Sequence, residues 1–264
     1  MSDKAMEVVD EVTRNKRLEY LTAPGIGGPL EAAFVRGFER ATPLVQTLVG
    51  MGLVSGEGVP SGVMTLDYDT CNSTEKVVTL PLPITSIDAG SNADEAALEE
   101  CGRKVGSLVE RAFLGMGGAY GSKQMGWVYG LCNYPERMTM TNDLNPADGV
   151  LGAVRMLTGK NYFGPYVVVS SGDHGDLGAS VWSSSEADVE LAAFPLPELK
   201  GKPDIVVFQA THNVIRAIQM VKPKVVLRYG VKADMEGYLA MTVTVPQVRS
   251  DAKGNCGVVH IVPE

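Results

Sequence analysis

The stretch Gly50–Ile84 constrains this chain more than any other. It opens on glycines at 50, 52, 56, 58 and 62. These are too dense for a regular helix, because glycine loses more backbone freedom on folding than any other residue. It continues through VMTLDYD (63–69), a polar turn TCNST, and KVVTLPLPI (76–84). Apolar residues alternating on both sides of a polar turn predict a long two-stranded excursion. Pro81 and Pro83 place its second arm at an edge or a strand end, since proline cannot donate to a ladder. Such a hairpin cannot bury itself alone. Met51, Leu53, Val54, Val59, Met64, Leu66, Tyr68, Val77 and Val78 are therefore candidate contacts with another subunit.

Around this excursion the elements are mixed. Residues 4–20 are highly charged, with Met6, Val9, Val12 and Leu18 at near-helical spacing, and read as an arm or short amphipathic helix. The turn-rich TAPGIGGPL (22–30) follows, then a short helical pattern over 30–49 broken near Pro43. Residues 92–114 give the cleanest helix, with Leu98, Cys101, Val105, Leu108 and Ala112 on one face. Glu99, Glu100, Arg103, Lys104 and Glu110 fall outside that stripe. Ser91 or Asn92 can cap its start, and Gly115 ends it. A second helix starts at Asn145–Pro146, an N-cap followed by proline, and stops near Gly159. Strands are expected at 166–170, 204–209, 224–229, 239–248 and 257–262. Strands that do not alternate with full-length helices make an α+β class, and disfavour a Rossmann sheet or an eight-fold barrel.

Composition narrows the function classes. A chain of 264 residues that is 45% hydrophobic and 20% charged can bury a core without staples. A net charge of −8 argues against a dedicated nucleic-acid reader, because phosphate binding needs basic side chains to displace counterions. The four cysteines (Cys71, Cys101, Cys132 and Cys256) are far apart and outline neither a disulfide framework nor a zinc site. The polar start Ser2–Asp3–Lys4 is unlike a signal peptide, and no apolar run reaches the roughly 18 residues of a membrane helix.

The search for chemistry returns little. Gly115, Gly117, Gly118 and Gly121 follow a helix, whereas a phosphate loop needs a strand-to-helix turn. In SSGDHGDLG (170–178), Ser171, Asp173, His174 and Asp176 are too close in sequence for a nucleophilic triad, and read as a polar turn after a buried strand. His212 and His260 are isolated. Asp67, Asp69, Asn72 and Glu75 lack the central glycine and terminal glutamate of a calcium loop. No catalytic, cofactor-binding or metal-binding residue is expected.

The order of elements resembles the major capsid proteins of tailed phages, a fold shared with encapsulin shell proteins. Three stretches carry the resemblance. Ala112–Phe113–Leu114–Gly115 followed by Gly130–Leu131–Cys132–Asn133 is similar to the family's exit from its spine helix. NYFGPYVVV (161–169) resembles the entry into an axial domain, and YLAMTVTVPQV (238–248) resembles a late peripheral strand. The resemblance implies an N-terminal arm (1–40), an extended loop with its return strand (41–91), a peripheral domain with the spine helix (92–144), an axial domain (145–230) and a return to the peripheral domain (231–264). It implies no enzyme and no cofactor. It implies self-association into the pentamers and hexamers of an icosahedral shell around double-stranded DNA, as part of a virion assembled in a host cytoplasm, with scaffolding, portal and cement proteins as possible partners. The N-terminus lacks the helix and the Gly-Arg…Gly-Pro run associated with encapsulins, which tilts the resemblance toward a phage capsid. An encapsulin-type compartment around enzyme cargo is the alternative, and a soluble hydrolase or metalloenzyme using the 173–176 loop is a further one.

Overall fold

The computed structural model describes residues 20–55, 63–67, 77–81, 85–90, 92–115, 129–141, 145–171, 177, 180–184, 189–196, 199, 204–229, 236–251 and 253–262. Helix α1 (Gly28–Arg40) and helix α2 (Pro43–Gly50) are separated at the break before Pro43, as the sequence predicts. Strand β1 (Val54–Ser55), the pair β2 (Val63–Asp67) and β3 (Val77–Pro81), and strand β4 (Thr85–Gly90) follow. Helix α3 (Glu95–Leu114) leads to β5 (Met138–Thr141), helix α4 (Pro146–Gly159) and β6 (Tyr166–Ser170). Strands β7 (Ser180–Ser184), β8 (Val189–Pro195), β9 (Ile205–Gln209), β10 (Ile215–Tyr229), β11 (Glu236–Val248) and β12 (Val258–Val262) complete the chain.

The strands form two main sheets and one separate ribbon. One sheet has four strands in the order β1-β10-β11-β4, and the other has six in the order β5-β12-β9-β6-β8-β7. At the centre of the six-stranded sheet both faces are buried. Tyr166 and Val168 of β6 pack with Val150, Val154 and Leu157 of α4, while Val167 and Val169 point the other way into the large core. Strand β9 repeats this, with Ile205 and Val207 toward α4 and Val206 and Phe208 opposite. Successive residues face opposite sides of a strand, so an unbroken apolar run such as YVVVS is what two-sided burial demands.

The four-stranded sheet carries α3 on one face, across β4 and β11. Helix α1 crosses α3 with glycine against backbone. A Cβ on Gly37 or Gly102 would collide with the carbonyl oxygens of Glu99 and Phe34, and one on Gly106 would lie 2.8 Å from the Phe38 carbonyl. Of the expected stripe Leu98, Val105 and Ala112 are buried, whereas Cys101 and Leu108 are only partly so, and Gly102, Gly106, Val109, Glu110, Phe113 and Leu114 join the buried face. Its N-cap is Asp94, whose side chain accepts from the Ala97 amide at 2.8 Å, and not Ser91 or Asn92. Asp94 wins because its short carboxylate reaches the third helical amide and adds negative charge at the helix start.

Helix α1 and strand β10 are both held within the packed core. Residues 28–40 are not a free arm: Phe34 and Phe38 sit in the large core beneath α1. Preceding them, Lys224 Nζ donates to the carbonyls of Leu21 (2.7 Å) and Ala23 (2.6 Å), and the Ile26 amide donates to Val225 O at 2.9 Å. Burial lowers the Lys224 ammonium from its ordinary value, against the opposing pull of Glu31. Residues 215–229 pair with β11 in the four-stranded sheet.

Candidate assembly surface

The ribbon β2–β3 pairs antiparallel over Val63↔Pro81 to Asp67↔Val77, so the predicted excursion is two-stranded. Among the described strands, β2 and β3 bond only to each other. The register places positions 64, 66, 78 and 80 (Met, Leu, Val and Leu) on one face of the ribbon. Positions 63, 65, 67, 77, 79 and 81 share the other. Val77 and Val78, grouped together by sequence, therefore belong to opposite faces.

Helix α2, which precedes the ribbon in the chain, is held by α3 at one end and by β10 at the other. At one end of α2 the carboxylate of Glu110, fully buried on α3, accepts from the Leu44 amide at 2.6 Å and the Val45 amide at 3.4 Å. The residue that precedes α2, Thr42, makes no side-chain cap and donates its hydroxyl instead to Phe38 O at 2.9 Å. A helix begins with amides that have no partner in the helix, and a carboxylate suits the positive end of its dipole. Glu110 thus supplies the cap from 66 residues away. At the other end of α2 the Leu53 amide donates to Leu48 O (2.8 Å), Leu53 O accepts from the Ala217 amide (2.8 Å), and Val54 pairs with Ala217 of β10.

The candidate contact residues are placed unequally. Met51 is 37% exposed beside Val49 at 41%, leaving an apolar edge at the ribbon's root. Leu53 is only 4% exposed and belongs to the large core, so its side chain is committed within its own subunit. Val54 is partly buried on β1. Met64, Leu66, Val77 and Val78 are on the ribbon strands, and Val59 and Tyr68 lie outside the described residues.

A shallow groove of about 530 Å³ runs between the outer side of α3 and β4, lined by Ile87, Glu100, Arg103, Lys104, Ser107 and Leu108. Its floor is apolar and its rim is charged. Arg103 meets Glu99 (3.4 Å) and Glu100 (2.7 Å), Lys104 meets Glu100 (3.8 Å), and Arg40 of α1 meets Glu99. The Arg103 guanidinium, through its hydrogen bond, holds the Glu100 carboxyl below its ordinary value.

The exit of α3 is closed by the GLCN stretch. The amides of Leu131 and Cys132 donate to the carbonyls of Phe113 and Leu114, both at 2.9 Å, and Asn133 Oδ1 accepts from the Gly130 amide at 2.7 Å. A Cβ on Gly130 would collide with the α3 backbone at Ala112 and Gly115. Two segments that sequence reading linked only by resemblance are joined by hydrogen bonds that satisfy the helix's last carbonyls. Gly115 itself is left-handed, at φ 74°.

No chemical centre emerges among the described residues. No group of three or more His, Cys, Asp or Glu side chains is placed to hold a metal, and no helix is long and apolar enough to cross a membrane. The stretch Asp173–His174–Asp176 lies outside the described residues. Burial pushes the Cys256 thiol up to about 12, so it stays protonated and packs as a small apolar group.

No family model matches the chain, and no curated protein matches it. Solved structures do. The virus-like particle from Pyrococcus furiosus is similar at 13% identity, over 88% of this chain and 97% of that one, with a TM-score of 0.56. The holo-SrpI encapsulin complex from Synechococcus elongatus PCC 7942 matches at 10% identity over 83% and 88%, TM-score 0.49. The capsid of Myoviridae phage XM1 matches at 12% over 83% and 92%, TM-score 0.45. At these identities the likeness is one of fold, and it is carried by the first of the three.

Proposed function

We propose that this chain, which has the phage major-capsid fold, is a structural shell subunit and not an enzyme. The observation that carries this reading is the ribbon. A lone two-stranded hairpin is marginal in water, and the register gives this one a wholly apolar face at positions 64, 66, 78 and 80. A neighbouring copy offers a matching surface in the groove beside α3, with Ile87 and Leu108 as its apolar floor. Copies related by rotation would form pentamers and hexamers. The six-stranded sheet with α4 is the axial part, and the four-stranded sheet with α3 is the peripheral part. Residues 1–19, ahead of the segment held by Lys224, act as the arm. Each contact is modest, and the many contacts per subunit add up through closure of the shell.

The enclosed content is double-stranded DNA in this reading, held without sequence preference by a chain of net charge −8. The shell is then a virion component assembled in a host cytoplasm, with scaffolding, portal and cement proteins as further partners. Helix α1 supports a second reading. The tilt toward a phage capsid rests on the lack of an N-terminal helix and of a Gly-Arg…Gly-Pro run, and helix α1, packed on α3, bears on the first of these. An encapsulin-type compartment around protein cargo gains from it.

Electron microscopy of purified material tests the shell. Closed icosahedral particles are expected, and a strictly monomeric 28.1 kDa species under all conditions sinks the reading. Absorbance of the particles separates the contents: a strong 260 nm band means nucleic acid, and a protein-like spectrum means cargo.

A further inference from the structure

The six-stranded sheet holds a buried histidine that the assembly surface does not use. His260 is on β12, opposite Val206 of β9 and Thr139 of β5, and is 7% exposed. Its Nε2 lies 3.3 Å from Asp204 Oδ1, outside hydrogen-bond geometry, and is otherwise without a partner among the described residues. Its Nδ1 accepts from Arg137 Nε at 3.5 Å. Asp204 and Arg137 are the two charged groups acting on the ring.

That arrangement requires a neutral ring. A ring nitrogen accepts a hydrogen bond only while it carries no proton, and both nitrogens are donors in the imidazolium. Burial holds His260 below its ordinary value of 6.5. Asp204 pulls it back up, and Arg137 pushes it further down. Arg137 also donates from Nη1 to Tyr134 O at 2.9 Å, and Tyr134 donates to Ser250 Oγ at 3.2 Å. The segment 129–137 that closes the end of α3 is thereby fastened to β12 through a guanidinium resting on an imidazole.

We propose that His260 is an acid-operated latch between this segment and the six-stranded sheet. A proton from solvent adds to Nδ1, the Arg137 bond is lost, and two cations face each other. The Nε2–H and Asp204 become an ion pair. The segment 129–137 is released from β12 while β9 and β12 stay joined. The latch is a property of the folded subunit and stands apart from the assembly reading.

Hydrogen exchange on the intact protein tests it, with wild type and His260→Gln compared at the same pH. Glutamine keeps an acceptor and cannot titrate. At pH 7.5 the two should protect residues 129–137 equally, with β5 held on β12 by strand pairing in both. At pH 5 the wild type should exchange there at least tenfold faster than the variant, with α3 and β9 unchanged. Equal protection at pH 5, or a loss spread evenly over the chain, overturns the latch. If His260→Gln does not fold, Asp204→Asn serves instead. It removes the group that favours the charged ring, so release should move to lower pH, and an unmoved or higher midpoint overturns the proposal.

Discussion

Two antiparallel hairpins in this molecule show what local pattern does and does not confer. The ribbon β2–β3 has five residues in each strand, whereas β10 and β11 run for 15 and 13. Both follow the same pairing rules. The long hairpin is covered on two sides. Val225, Ala240 and Val248 face the large core, while Val226, Leu239, Met241, Val243 and Val245 form a second cluster with Leu21. Register shifts near Val221 leave a free carbonyl, and the buried Thr242 hydroxyl donates to it at 2.9 Å. The ribbon bonds to no other described strand. A hairpin becomes a fixed part of a fold through the layers that cover it. A ribbon with no further strand beside it can accept one from a neighbour.

Breaking the ribbon gives the largest expected effect. Replacing residues 63–81 with a short glycine-serine turn should abolish particles in light scattering and micrographs while the subunit keeps its circular dichroism and melting temperature. Particles that still form would refute the ribbon's role. In the long hairpin the effect moves to the subunit itself. Met241→Ala should lose about 2–5 kcal/mol of unfolding free energy in a denaturant titration, because Met241 is fully buried.

Glu110→Ala is next. It orphans the Leu44 and Val45 amides, and a loss of about 1–3 kcal/mol follows from leaving buried donors unsatisfied. Glu110→Gln should lose less, since an amide oxygen still accepts. Acidification sharpens the comparison from the side of the six-stranded sheet. The folded value of His260 is depressed, so below about 6.5 the unfolded chain binds a proton that the folded chain refuses. Subunit stability should fall as pH drops through that range, and His260→Gln should flatten the profile. Leu66→Ala is the smallest: on the unassembled subunit it should change stability by less than about 0.5 kcal/mol, and a loss near that of Met241→Ala would mean that the ribbon is covered within its own subunit.

Much of the fold was legible. The break before Pro43, the Asn145 cap of α4, the left-handed Gly115 and the apolar strand 166–170 all follow from local rules. The misses share a cause. Spacing alone sets Glu110 outside the apolar stripe of its helix, yet its carboxylate is buried and faces α2. Gly102 and Gly106 carry no hydropathy signal, and they mark where α1 crosses. The first part of β10, Ile215–Pro223, is too irregular in polarity to read as a strand, and its partner β11 holds it. The hairpin β7–β8 (SVWSS and VELAAFP) has too weak an apolar alternation to stand out as strands.

From residue order alone came the elements whose information is local: turns, caps, two-sided burial of an apolar run, and a two-stranded excursion. Periodicity and capping act over a few residues, so they need no knowledge of the rest. Only the tertiary structure decided which surfaces meet. It put a buried carboxylate at the start of α2, a glycine seam between α1 and α3, and an arginine on His260. Such contacts join residues 66, 65 and 123 positions apart, and a pattern read along the chain has no term for them.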